Sequence, residues 1–219
     1  MQDFINGFFS FKFLPSLIIG ALAFSMYAPR RRFFVLRFIF CFCAMSALSG
    51  FLWKSVRYLE MGSSLGNFMY VLCDVFFFFE VIALLCFCFK CSFWEAVLYN
   101  AAGWSLEHIA NSLCFIFGLM LGIENIYFDY DIEYFVLTVL VYLVVFAAAF
   151  IAGWALCGNN RIKLNSKKVL LPVLLILLIT VILGIYVPVA ETSPDVMIII
   201  KLFAVICCLI SLCSALNLF

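Results

Sequence analysis

The stretch from Phe93 to Leu121 reads FWEAVLYNAAGWSLEHIANSLCFIFGLML, an apolar run interrupted by polar residues near its middle. As an α-helix it would be about 43 Å long at about 1.5 Å per residue, which exceeds the roughly 30 Å thickness of a bilayer core. It also contains the one histidine of the chain, His108. The length of this run predicts a membrane-crossing helix, and its polar residues require a protein interior or a wet cavity within the membrane.

The polar residues of this stretch share one side of the predicted helix. At about 100° per residue, Asn100, Trp104, Glu107 and Asn111 fall within about 60° of one another, and His108 lies about 40° beyond that edge. An ionisable group costs about 2.5 to 3.5 kcal/mol at the centre of a membrane helix, so such groups are rare there. Two interpretations follow: a hydrogen-bond network that only locks the bundle, or a polar core that takes part in sensing.

The composition of the whole chain favours a membrane protein. The chain is 68% hydrophobic and only 11% charged, whereas soluble domains have about 25% charged residues. Its 219 residues leave room for about seven spans, so we expect an all-α, multi-pass helix bundle in a cell membrane, with membrane lipids as partners. The net charge of +1 gives no reason to expect a nucleic acid partner.

Charged, glycine-rich and proline-containing segments separate the apolar runs and set the expected span boundaries. The runs form one domain, 1–219, with predicted spans at about 8–28, 33–53, 67–89, 93–121, 134–157, 169–189 and 196–219.

The loops between these spans alternate in charge. The loops after the first, third and fifth spans contain eight basic residues: Arg30, Arg31, Arg32, Lys90, Arg161, Lys163, Lys167 and Lys168. The loops after the second, fourth and sixth spans contain only Lys54 and Arg57. Because cytoplasmic loops carry the excess of Lys and Arg, this pattern predicts an outside amino terminus and an inside carboxyl terminus.

With this orientation, the polar and charged residues inside the spans fall into two layers. The outer layer contains Asp74, Glu107, His108, Asn111 and Lys201, and Arg37, Glu80 and Asn100 lie at middle or inner levels. If the third, fourth and seventh spans are neighbours, Lys201 would pair with Asp74 or Glu107, and Arg37 with Glu80. Alternatively, Arg37 would extend its head group to the membrane surface.

The sequence gives no indication of catalysis, a cofactor or a metal. Most of the eleven cysteines lie inside apolar runs, where a free cysteine packs as a small hydrophobic residue. Glu107 and His108 are adjacent, so their side chains point about 100° apart on a helix, unlike a pair of metal ligands at i and i+4.

Two stretches resemble the membrane sensor region of GHKL-type sensor histidine kinases, a group that includes peptide quorum-sensing receptors. They are Arg30-Arg-Arg-Phe-Phe-Val-Leu-Arg37, before and at the start of the second span, and Tyr99-Asn-Ala-Ala-Gly-Trp-Ser-Leu-Glu-His-Ile-Ala110 in the fourth. The matching positions are Arg37, Gly103, Trp104, Glu107 and His108, with Glu107 where the family pattern has an amide. The resemblance implies a receptor region in a bacterial cytoplasmic membrane. Since the chain carries no phosphoacceptor or ATP-binding motif, we expect no kinase activity from it.

Two functions are therefore expected. The first is a sensor or receptor-like module that binds an extracellular peptide or small molecule and passes the signal to a homodimer partner, a cytoplasmic partner or a separate kinase domain. The alternative is a small transporter or channel that uses the charged residues inside the membrane.

Overall fold

The structure is a computed structural model of the full chain, and it describes residues 13–26, 28–56, 64–123, 132–157, 172–176, 178–179 and 194–216. These residues form six long helices: α1 Phe13–Ser25, α2 Phe34–Val56, α3 Ser64–Cys88, α4 Phe93–Met120, α5 Ile132–Cys157 and α6 Pro194–Leu216. Residues 172–176 and 178–179, inside the sixth predicted span, are also helical. The all-α expectation is thus confirmed for the part of the chain that the structure describes.

Three of the helices are long and apolar enough to cross a membrane. The qualifying stretches are Val71–Cys88 in α3, Ile132–Ile151 in α5 and Val196–Ala215 in α6. Two further apolar helical stretches are shorter: Phe13–Ser25 and Phe34–Ser49. The finding supports a membrane protein of several helices, and α4 falls outside the set because its polar residues interrupt its apolar sequence.

Helix α4 lies at the centre of the described bundle. It packs against α1, α3, α5 and α6, and every residue from Ala96 to Ala110 is buried. A helix that is buried on all sides needs neighbours all round. By contrast, α2 makes its main contacts with α3 alone.

Two glycines let α1 and α4 approach each other closely. A Cβ atom placed on Gly103 would lie 2.4 Å from the backbone nitrogen of Ala21, and one placed on Gly20 would lie 2.9 Å from the Cα of Gly103. Small residues at such crossings allow helix backbones to make van der Waals contact within a membrane. The close approach fixes the position of α4 relative to α1.

Both ends of α4 are capped by residues of its own sequence. At the start, Ser92 and Glu95 form a capping box, in which each side chain accepts a hydrogen bond from the other residue's backbone N–H. At the end, Gly122 has a positive φ of 71°, and the N–H of Ile123 donates to the carbonyl of Gly118 at 3.0 Å. This is a Schellman ending. Gly122 lies beyond the helix, and no atom lies near the position that its Cβ would take, so this glycine serves the cap.

Candidate functional site

The polar residues of α4 form a buried hydrogen-bonded cluster. Trp104 Nε1 donates to His108 Nε2 at 2.6 Å, across the i, i+4 spacing that brings two side chains onto the same face. Since Nε2 is the acceptor, the proton of a neutral His108 is assigned to Nδ1. Nδ1 lies 3.5 Å from Glu107 Oε2, so the imidazole ring links the indole of Trp104 to the carboxyl group of Glu107.

Glu107 also connects α4 to α5. The hydroxyl group of Tyr142 donates to Glu107 Oε1 at 3.0 Å, and the contact is buried. Sequence reasoning missed Tyr142, which stands in the apolar run Val139-Leu-Val-Tyr-Leu-Val-Val-Phe146. Its one signal was the hydroxyl group itself, because a buried tyrosine usually finds a hydrogen-bond partner.

Aromatic rings hold Trp104 in place. Its ring centroid lies 5.5 Å from that of Phe13 on α1 in an edge-on arrangement, and 5.4 Å from that of Phe78 on α3. Such edge-to-face pairs add about 0.5 to 1.5 kcal/mol beyond burial. The indole is therefore fixed between two helices, and it fixes the orientation of His108 in turn.

Asp74 and Lys201 bring charge to this cluster from α3 and α6. The carboxyl groups of Asp74 and Glu107 are near enough to interact electrostatically, and so are Lys201 and His108. The ammonium group of Lys201 lies 5.8 Å from the centroid of the Phe115 ring. Helix α4 packs against both α3 and α6, whereas a pairing of Lys201 with Asp74 or Glu107 stays a prediction.

Asn100 and Asn111 flank the cluster along α4. The amide nitrogen of Asn100 donates to the carbonyl of Phe78 at 2.8 Å, while its buried Oδ1 has no hydrogen-bond partner among the described residues. Asn111, one turn beyond Glu107, is half-buried. Asn100 thus ties α4 to α3 and leaves one acceptor available in the interior.

A separate polar contact, which sequence reasoning missed, joins α4 to α6. The hydroxyl groups of Ser105 and Ser211 lie 3.1 Å apart, and Ser211 donates to the carbonyl of Pro172 at 3.3 Å. Serines are frequent in helices of every kind, so the sequence carried no signal for this contact. It connects three helical segments on another side of α4.

The predicted inner pair of Arg37 and Glu80 is not formed. Arg37 Nη1 donates to the carbonyl of Phe87 at 3.1 Å, and Glu80 Oε2 accepts from Ser49 at 3.4 Å. Phe87 is seven residues beyond Glu80, or about 10 Å along α3. The last carbonyls of a helix lack an intrahelical donor, so the guanidinium group binds there instead of reaching the carboxyl group.

The described residues contain no group of three or more His, Cys, Asp or Glu side chains arranged to hold a metal ion. The structure describes ten cysteine side chains, and all ten are free thiols. The chemistry that converges at the cluster is a carboxyl, an imidazole and a phenol in direct contact, with a second carboxyl and an ammonium group nearby. Such a set can hold a proton, bind a small polar ligand or switch between hydrogen-bonded states.

Comparison of the chain with protein families, curated proteins and solved structures gives no match. The function is therefore inferred from the geometry of the cluster and from its place in the bundle.

Proposed function

We propose that this chain is a membrane-embedded sensor or receptor-like module with seven spans, an outside amino terminus and an inside carboxyl terminus. The observation that carries the proposal is the cluster of Trp104, Glu107, His108 and Tyr142 on the central helix. Because α4 contacts four other helices, a rearrangement of this cluster displaces several helices together. A signal at one level of the membrane would thereby reach the other end of the bundle.

The strength of the cluster suits a switch. Interhelical hydrogen bonds contribute only about 0.6 kcal/mol each on average in membranes, and the bond from Tyr142 to Glu107 is of this kind. Reversing a two-state equilibrium from 1:99 to 99:1 requires a differential binding free energy of about 5.5 kcal/mol. A peptide or small polar ligand that binds one state of the bundle in preference to another can supply this, so the hydrogen bonds of the cluster are weak enough for a ligand to break.

The expected orientation supports an extracellular signal. The positive-inside assignment puts Glu107 and His108 in the outer half of the membrane, and the unsatisfied Oδ1 of Asn100 adds an acceptor deeper along the same helix. The resemblance to GHKL-type sensor regions favours a cytoplasmic partner or a separate kinase domain as the recipient, within a homodimer or another signalling complex.

The proposal is tested by hydrogen–deuterium exchange on the full chain in lipid nanodiscs. Glu107→Gln replaces the carboxyl group of the cluster with an amide of nearly the same size. We expect exchange around residues 28–33 and 89–92, at the far end of α1 and α3, to change by about three- to tenfold, which corresponds to about 0.6 to 1.4 kcal/mol. Glu133→Gln makes the same chemical change on an exposed side chain and should leave exchange there unaltered.

A change confined to α4 and α5 in Glu107→Gln would contradict the proposal. The cluster would then only stabilise the packing of the bundle, and its rearrangement would not change the structure at the distant end.

A second candidate function is a small transporter or channel. It is favoured by the electrostatic interaction between the carboxyl groups of Asp74 and Glu107, because ionisable groups inside a membrane commonly mark an ion or proton path. Purified protein in liposomes would then carry protons or sodium ions down a gradient, and Glu107→Gln would abolish the flux. Flux at the level of empty liposomes, together with the long-range exchange change described above, would favour the sensor.

A further inference from the structure

One end of the bundle joins two loops through backbone hydrogen bonds. The N–H of Lys90 donates to the carbonyl of Pro29 at 2.7 Å, and the N–H of Arg31 donates to the carbonyl of Cys88 at 3.0 Å. Arg30 and Phe89 form the centre of this antiparallel bridge. The loop between α1 and α2 is thereby fixed against the loop between α3 and α4.

This junction concentrates positive charge. It brings together five basic residues, and neither 28–37 nor 87–94 contains an acidic residue: Arg30, Arg31, Arg32, Arg37 and Lys90. Glu95 follows closely, but its carboxylate accepts from the backbone N–H of Ser92 in the cap of α4. Among the described residues, these five cations form no ion pair with a carboxylate.

The arginines at the junction have two different roles. Arg31 Nε donates to the carbonyl of Phe89 at 2.9 Å, and Arg37 donates to that of Phe87, so these two satisfy the end of α3. The guanidinium carbons of Arg30 and Arg32 lie 5.1 Å and 4.9 Å from the ring centroids of Phe34 and Phe33. A guanidinium group stacked on a ring keeps its N–H edge free for a phosphate.

Exposed aromatic side chains surround these cations. Phe33 is 64% exposed, Phe93 52% and Trp94 42%. Phe33 has a φ of 59°, a left-handed backbone conformation that is rare for a bulky side chain and that is typical of functional sites. Aromatic residues beside basic ones are the pattern of a membrane interface, where rings lie at the level of the lipid headgroups.

We infer that this junction is a binding site for the headgroup of an anionic phospholipid. The stacked Arg30 and Arg32 would bind the lipid phosphate, Lys90 would add charge, and Phe33 and Trp94 would contact the glycerol and upper acyl chain. Basic clusters directly beside membrane helices on the cytoplasmic side attract anionic lipids, and the proposed orientation puts this end there. The site is distinct from the Glu107–His108 cluster and does not depend on its function.

The test measures lipid affinity by native mass spectrometry of the full chain in a neutral detergent, titrated with phosphatidylglycerol or with phosphatidylcholine. We expect phosphatidylglycerol to bind more tightly than phosphatidylcholine. In Arg30→Gln/Arg32→Gln the preference should fall about thirtyfold, because each basic residue near an anionic surface contributes about fivefold. Neither arginine side chain donates to a backbone carbonyl in the described structure, so the double variant keeps the bonds that join the loops.

Two further variants test whether the lipid preference comes from a specific site, from net charge alone or from a loss of folding in the double glutamine variant. Lys167→Gln/Lys168→Gln removes the same charge from another basic loop and should keep the phosphatidylglycerol preference. Arg30→Lys/Arg32→Lys keeps the charge and should retain the affinity to within about fivefold.

Three results would overturn the inference. The first is equal affinity for the two lipids in the unmodified chain. The second is an equal loss of phosphatidylglycerol preference in Arg30→Gln/Arg32→Gln and in Lys167→Gln/Lys168→Gln. The third is displacement of the bound lipid by millimolar inorganic phosphate. The last would identify a site for a free anion instead of a lipid.

Discussion

Helices α4 and α2 differ in which side chains they bury: α4 buries polar ones, and α2 exposes apolar ones. Helix α4 carries Asn100, Ser105, Glu107 and His108, and all four are buried. Helix α2 exposes large apolar side chains along its length: Val35, Leu36, Ile39, Phe40, Leu48 and Phe51. A soluble bundle would bury the apolar helix and expose the polar one. The inverted arrangement is stable where the surroundings are lipid, since a polar helix then needs protein neighbours and an apolar one does not.

The comparison also shows that the two helices are held in different ways. Helix α4 is fixed by specific contacts, including a backbone approach at Gly103 and hydrogen bonds to α3, α5 and α6. Helix α2 is held mainly by α3. The stability of its outer apolar face depends on whether lipid or water surrounds it. Substitutions should therefore act through packing in α4 and through transfer to lipid in α2.

The largest effect is expected from Gly103→Leu. A Cβ atom at this position already meets the backbone of Ala21 at 2.4 Å, and a leucine side chain would force α1 and α4 apart. Overpacking of a core costs about 1 to 3 kcal/mol and occasionally more. Here the obstacle is backbone, so we expect a loss above about 3 kcal/mol, measured as a loss of monodisperse protein in detergent and a lower unfolding midpoint in a denaturing-detergent titration.

Ala47→Leu is the matched control for Gly103→Leu. It adds comparable bulk at an exposed small residue of α2, where the free energy of unfolding should change by no more than about 0.5 kcal/mol. Equal behaviour of the two variants would contradict the close contact of α1 and α4.

The second effect concerns the exposed face of α2. Leu48 is 49% exposed and lies within one turn of the middle of the helix. Leu48→Asp should therefore reduce membrane insertion of the α2 segment by about 2 to 3 kcal/mol, because an aspartate at a helix centre costs about 2.5 to 3.5 kcal/mol on insertion scales. A glycosylation-based insertion assay measures this, with the apolar Leu48→Ala as control. Normal insertion of Leu48→Asp would show that this face lies in water or against protein.

The position of the helices was accessible to sequence reasoning because their signals are local. Apolar runs ended by charge, glycine or proline located α1 to α6, and Ser92 with Glu95 marks the start of α4 in the sequence itself. The polar side of α4 was predictable from its helical spacing. Its burial on every side was not, because in an apolar chain neither face of a helix indicates how many neighbours it has.

The side-chain partners were harder to predict because they depend on contacts between helices. Tyr142 lies in a uniform apolar run, and its partner Glu107 is on another helix. The pairing of Arg37 with Glu80 was wrong because depth was assigned from span limits alone. Arg37 lies within the first turn of α2, where the terminal carbonyls of α3 are nearer and lack donors. The depth of a residue along a span can be counted from the sequence. Which of several possible partners it binds can be determined only from the packed structure.

The smallest effect on the free energy of unfolding is expected from substitutions at two residues that lie one turn apart on α5. The hydroxyl group of Tyr142 donates to Glu107, whereas the buried hydroxyl of Thr138 has no hydrogen-bond partner among the described residues. Tyr142→Phe should cost about 0.6 kcal/mol, the average for an interhelical hydrogen bond in a membrane, and the near-isosteric Thr138→Val should cost nothing or stabilise the protein, because it removes an unpaired polar group. Both free energies of unfolding can be measured by steric trapping in bicelles. If Thr138→Val costs as much as Tyr142→Phe, then the hydrogen bond to Glu107 contributes nothing specific, and the link between α4 and α5 is packing alone.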